Sequence, residues 1–167
     1  MALNGGSIVE WNTLLAVVAG AAATLTGLVF VAVSLNLSRI MTFPGMSGRA
    51  GESVLQFLGI FLIAIVALVP RQPASSLAIE FLIIGAASWV IQVTVQIRYL
   101  RQRAGHPWSW FVYRAVFCQL ATVPFLVAGF ALLRGTSGAM YWLVPGFIFS
   151  FVAGVASAWV LLVEIIR

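Results

Sequence analysis

Read from the N-terminus, the chain alternates long apolar runs with short stretches that gather its glycines, prolines and arginines. The first run, residues 11–37, opens at Trp11 and holds no charged residue. At ~1.5 Å per residue, a helix of that length exceeds the ~30 Å hydrocarbon thickness of a bilayer, so it spans with room to tilt. Pro44, Gly45, Gly48 and Gly51 mark residues 39–52 as a loop, and a shorter run over 53–69 follows until Pro70 and Pro73 end it. Further spans are predicted over 77–97, 115–133 and 141–163. The fourth carries Pro124 near its middle, a kink whose freed carbonyl neighbouring helices can satisfy. The pattern predicts an all-α, polytopic transmembrane helical bundle of about five spans, forming a single integral membrane domain over residues 1–167. The second span, short and bounded by Glu52 and Pro70, is the one whose full crossing the pattern leaves open.

Composition supports the same solvent. Hydrophobic residues make up 62% and charged residues 8% of the chain, where soluble domains carry about a quarter charged. Mean hydropathy is +1.10. The opening MALNGGSIVE has no Arg or Lys, and the apolar run continues past Ala21, Ala22 and Ala23, so the first span reads as a retained helix and not as a signal peptide.

Charge adds orientation. All nine cationic residues are Arg, Lys and Asp are absent, and the acids are Glu10, Glu52, Glu80 and Glu164. The segments after spans one and three, with the C-terminus, hold Arg39, Arg49, Arg98, Arg101, Arg103, Arg114 and Arg167, and the opposite side holds Arg71 and Arg134. This asymmetry predicts the N-terminus outside and the C-terminus in the cytoplasm. Trp11, Tyr141 and Trp142 then anchor the outer interface, and Tyr99, Trp108, Trp110 and Tyr113 the inner one. The basic balance comes from membrane loops, so nucleic acid is not an expected partner. Arg98, Arg101, Arg103 and Arg114 are candidate contacts for anionic lipid, each worth about 1 kcal/mol near the headgroups. Setting topology is the simpler role for the same residues.

Chemistry-bearing residues are scarce. His106 is the only histidine and lies beside Pro107, so an intrachain bis-histidine haem or a multi-histidine zinc site is excluded. Without Lys there is no retinal-type Schiff base. Cys118 is alone, which excludes an intramolecular disulfide and a multi-cysteine metal site. No catalytic residue, metal or cofactor is predicted, and the chain reads as non-enzymatic.

Three spans instead carry ordered faces of small or polar residues. On the first, Thr13, Gly20, Thr24, Gly27, Ser34 and Ser38 follow a 3-4 alternation completed by Val17 and Val31. Such a stripe lets another helix backbone approach closely, and a pore lined by it in a homo-oligomer is the alternative. On the third, Glu80, Ile84, Ser88, Gln92, Gln96 and Tyr99 lie near one face, with Gly85 alongside. Amides and carboxylates are costly in lipid unless partnered, so this face should meet protein or water. Interhelical hydrogen bonding, with Glu80 reaching water or Arg71, is the expectation, and a polar conduit the alternative. On the fifth, Gly146, Ser150, Gly154 and Ala158 form a small-xxx-small pattern for close crossings, within the subunit or against a partner.

The stretch WNTLLAVVAGAAATLTGLVFVAVSLNLSRI, from Trp11 to Ile40, resembles the opening span of small bacterial membrane proteins of unassigned function, in which a Trp precedes a small-residue run and then LTGLxFV with a nearby Ser. The matching positions are Trp11, Gly20, Ala23, Leu25, Thr26, Gly27, Leu28, Phe30, Val31 and Ser34. The resemblance covers this part of the chain alone. It implies a small bacterial multi-span protein and brings no catalytic residue, and the expected location is the bacterial inner membrane. Together these readings point to a protein that works by association with membrane lipids and with other membrane protein subunits or itself. It would be an accessory subunit or a homo-oligomer. The alternative is a small channel or carrier lined by spans one and three.

Overall fold

A computed structural model describes residues 11–42, 46–101 and 108–166. Those residues are helical apart from short turns, in the order α1 (Asn12–Leu35), α2 (Leu37–Thr42), α3 (Met46–Ala67), α4 (Ala74–Arg101), α5 (Trp108–Leu133) and α6 (Leu143–Ile166), with a 3-10 turn over Ala139–Trp142. The expected helical bundle is therefore what forms. Among the described residues four helices are long and apolar enough to cross a membrane, while α3 contributes a shorter apolar stretch, Gly51–Ala67.

The position of α3 explains how it carries polar residues along an apolar stretch shorter than those of the other helices. It packs against α1 on one side and against α4 and α6 on the other, while α5 closes a four-helix ring by packing on α4 and α6. Phe57, Ile60, Ile63 and Ala64 of α3 are fully buried, and with Leu77 and Phe81 of α4, Phe125 and Ala128 of α5, and Leu143 and Phe147 of α6 they make the core. A helix shielded on several sides by protein meets less lipid, so polar Ser53 and Gln56 are tolerated on it, both buried. Helix α1 stands outside the ring and rests mainly on α3. Its contact face is Leu15, Val18, Ala19, Ala22 and Val29.

Several boundaries differ from those expected. The stretch 39–52 is not a loop: α2 occupies its start and α3 already begins at Met46, leaving 43–45, with Pro44 and Gly45, outside the described residues. Gly48 and Gly51 fall inside α3, where each costs about 1 kcal/mol relative to Ala, too little to stop a helix held by packing. At the joint between α1 and α2, the Asn36 side chain donates to the Ala32 carbonyl at 2.9 Å, and Ile40 N–H donates to the Asn36 carbonyl at 2.9 Å. Helix α4 carries on through Arg98 to Arg101, so the basic stretch is partly helical.

The other ends follow familiar chemistry. Helix α5 closes with Gly135 at φ 64°, its N–H bonded to the Leu132 carbonyl and that of Thr136 to the Ala131 carbonyl. This paired closure is the Schellman arrangement, which glycine adopts without a Cβ penalty. Between α3 and α4, Leu68 and Val69 tighten the last turn by bonding back to Ile65 and Val66 before Pro70. At the end of the bundle expected to face outward, Trp11 meets Tyr141 edge-on with ring centroids 4.9 Å apart. Trp142 is exposed there, whereas the side chains of Tyr99, Trp108, Trp110 and Tyr113 lie outside the described residues.

Candidate functional site

The three faces singled out in the sequence occupy different environments. On α6, Gly146 and Gly154 are buried in the ring. A Cβ built on Gly146 would lie 2.6 Å from the Phe125 ring, and one on Gly154 would lie 2.6 Å from the Phe57 ring. No real Cβ tolerates such an approach, so each glycine is a notch that an aromatic ring from α5 or α3 fills. Between the two notches Ser150, 1% exposed, donates its hydroxyl to the Ala121 carbonyl at 3.0 Å. That bond falls beside the break made by Pro124, which removes the N–H that would otherwise serve the carbonyl of Leu120. The α6 stripe is thus an internal seam.

On α1 the corresponding stripe points the other way. Thr13, Val17, Gly20, Thr24, Gly27, Val31, Ser34 and Ser38 are all exposed, opposite the contact face on α3. Nothing lies within 4 Å of a Cβ placed on Gly20 or Gly27. The Thr24 hydroxyl turns back to the Gly20 carbonyl at 2.8 Å, so its proton is spent within the helix. The result is a flat strip of backbone, free of protruding side chains at its glycines and with the Thr24 donor already satisfied. Among the described residues the stripe therefore takes no part in packing inside the chain.

The polar face of α4 meets α3. Gln92 Nε2 donates to Gln56 Oε1 at 2.7 Å, and Ser88 faces Gly59, where an added Cβ would sit 3.3 Å from the hydroxyl oxygen. Gln96 is 7% exposed, and its Nε2, like Gln92 Oε1, is buried without a hydrogen-bond partner. Gln56 was not singled out in the sequence, although an amide amid the apolar residues of the second span was the available signal. Another side-chain bond from α4, from Trp89 Nε1 to Gln119 Oε1 at 2.7 Å, ties it to α5 and was likewise not foreseen.

Glu80 stands apart from this seam. Half-buried, it leaves Oε2 without a partner and makes no ion pair with Arg71 among the described residues. Arg71 takes a left-handed backbone conformation, φ 58°, in the turn between Pro70 and Pro73 and is exposed. Of the candidate lipid-contacting arginines, Arg98 is exposed, while the side chains of Arg101 and Arg114, and the whole of Arg103 and His106, lie outside the described residues. Among the described residues no three His, Cys, Asp or Glu gather in a way that would hold a metal ion.

Within one chain the faces of α1 and α4 do not enclose a common path. They lie on opposite sides of α3, one turned outward and the other turned in toward Gln56. Comparison with known protein families, with curated proteins and with solved structures finds no match for the chain.

Proposed function

We propose that this is a non-enzymatic, multi-pass protein of the bacterial inner membrane that works by helix-mediated association, as a homo-oligomer or as an accessory subunit of a larger membrane complex. The observation that carries the reading is the outward stripe of α1. Between apolar helices in lipid there is no hydrophobic driving force, so association relies on close van der Waals contact over small residues. Gly20, Thr24, Gly27 and Ser34 supply such a surface, and none of the described residues covers it. A stripe meant only for lipid has no need to be flat.

The orientation follows from the arginine asymmetry, with the C-terminus in the cytoplasm. A reporter fused after Arg167 is expected to behave as cytoplasmic, and a periplasmic signal would reverse the assignment. A channel or carrier built by a single chain is disfavoured by the separation of the two polar faces. A pore lined by the α1 stripe requires several copies around an axis, and it remains an outcome of the same experiment. Native mass spectrometry of gently solubilised protein distinguishes the cases: a heteromeric mass supports the accessory role, and a multiple of the chain mass supports self-association. Exclusively monomeric protein, with no flux across liposomes, would sink both.

A further inference from the structure

Helices α1 and α6 both lean on α3 but touch each other little, and a lateral groove of about 230 Å³ opens between them. Leu28 and Ala32 of α1 form one wall, Val155 and Trp159 of α6 the other, Phe57 the floor, and Ile40 of α2 closes one end. Among the described residues no hydroxyl, amide or charged side chain lines it. We propose that this groove holds an acyl chain of an anionic phospholipid, with the headgroup at the end closed by α2.

First, the space is real and dry by composition: an apolar cavity of about 150 Å³ already excludes water and admits a benzene-sized guest. The floor is fixed, because the fully buried Phe57 ring is seated in the Gly154 notch. Second, the mouth faces the lipid, since Leu28 is 61% and Trp159 67% exposed on its two lips. The apolar matter available at that depth is hydrocarbon chain.

Third, charge selects the headgroup. The groove is built from the C-terminal halves of α1 and α6 over the middle of α3, with Ile40 of α2 at one end, which places it toward the arginine-rich end of the bundle. By sequence that end carries seven Arg against Glu52 and Glu164, while Arg71 and Arg134 are matched by Glu10 and Glu80 at the other, so the whole formal charge of +5 lies there. Arg39 immediately precedes Ile40 in α2. The groove lies off the α1 stripe, so occupancy by lipid and association through the stripe stand or fall separately.

The test reconstitutes the full chain in phosphatidylcholine vesicles containing a minor fraction of phosphatidylglycerol, extracts it in mild detergent and weighs it by native mass spectrometry. One phosphatidylglycerol should remain per chain. Ala32→Phe and Val155→Phe, which fill the groove from opposite walls, should each release it. Arg39→Gln alters none of the described lining residues and should lower the preference for phosphatidylglycerol over phosphatidylcholine about fivefold, the worth of one arginine near anionic headgroups. It keeps the proposal testable should a filled variant fold poorly. Equal retention of the two lipids by the wild type would overturn the proposal, as would unchanged retention in both filled variants. A dimer lost on filling the groove would also overturn it, by making the occupant a second copy.

Discussion

Helices α6 and α1 carry stripes of the same kind, small residues three or four apart, yet the protein buries one and turns the other outward. On α6 the stripe receives Phe125 and Phe57, rings that seat in Gly146 and Gly154. On α1 the buried side is instead Leu15, Val18, Ala19, Ala22 and Val29, and Gly20 and Gly27 meet nothing. What differs is the complement. A glycine notch becomes an internal contact when an aromatic residue on a neighbouring helix reaches it, and α3 offers Phe57 to α6 and no ring to the glycines of the α1 stripe. The comparison teaches that a small-residue stripe identifies a surface suited to close approach without saying which helix approaches.

The sharpest way to break this contrast is to place the same bulky side chain on both stripes. Gly146→Leu and Gly154→Leu should each cost about 3 kcal/mol or more, because even a Cβ already overlaps a buried ring. That is a large share of a typical stability of ~5–15 kcal/mol, so these variants should be recovered poorly or melt far below the wild type. Thermal unfolding in detergent checks this, and wild-type melting of either variant would mean that the stripe is not a tight seam.

The seam between α3 and α4 gives intermediate effects with a change of sign. Gln56→Leu leaves Gln92 Nε2 buried and unpaired, which should destabilise the protein by about 1–2 kcal/mol. Replacing Gln56 and Gln92 together by Leu removes both ends of the bond and should return stability to within ~0.5 kcal/mol of the wild type. Gln96→Leu alone should leave the melting temperature unchanged or raise it, since it removes a buried donor that has no partner. A fall in all three would mean that the seam holds water or solute, and liposome flux reduced by the Gln92→Leu, Gln96→Leu pair would establish a conduit. Smaller still is Ser150→Ala, whose lost bond to Ala121 should cost about 0.6 kcal/mol, the average for such bonds in membranes.

Much of the fold was legible because hydropathy and helix length are set by the bilayer: the spans expected over 77–97 and 115–133 lie wholly within α4 and α5. Boundaries moved where glycine was read as a stop. Gly48 and Gly51 lie inside α3, since packing outweighs a modest propensity penalty. The polar face of α4 was readable from the spacing of Ser88, Gln92 and Gln96, but its partner was not, because a single Gln56 has no periodicity to announce it. The direction of the α1 stripe was not legible at all. In water an exposed face betrays itself by polarity, whereas in lipid the outside is as apolar as the core, so Val17 and Val31 on the outside look like Val18 and Val29 on the inside.

The smallest effect on the folded subunit belongs to the α1 stripe, and it is also the most direct test of the central claim. Gly20→Leu and Gly27→Leu meet open space, so the double variant should melt within the range of a neutral surface change, ~0.5 kcal/mol. The decisive measurement is the assembly state of the wild type and of this double variant, by native mass spectrometry under the same gentle solubilisation. The account predicts an assembled wild type and a folded, equally stable variant that has lost its partner or its copies. A double variant that retains the wild-type assembly would make the stripe a lipid-facing surface and contradict the account.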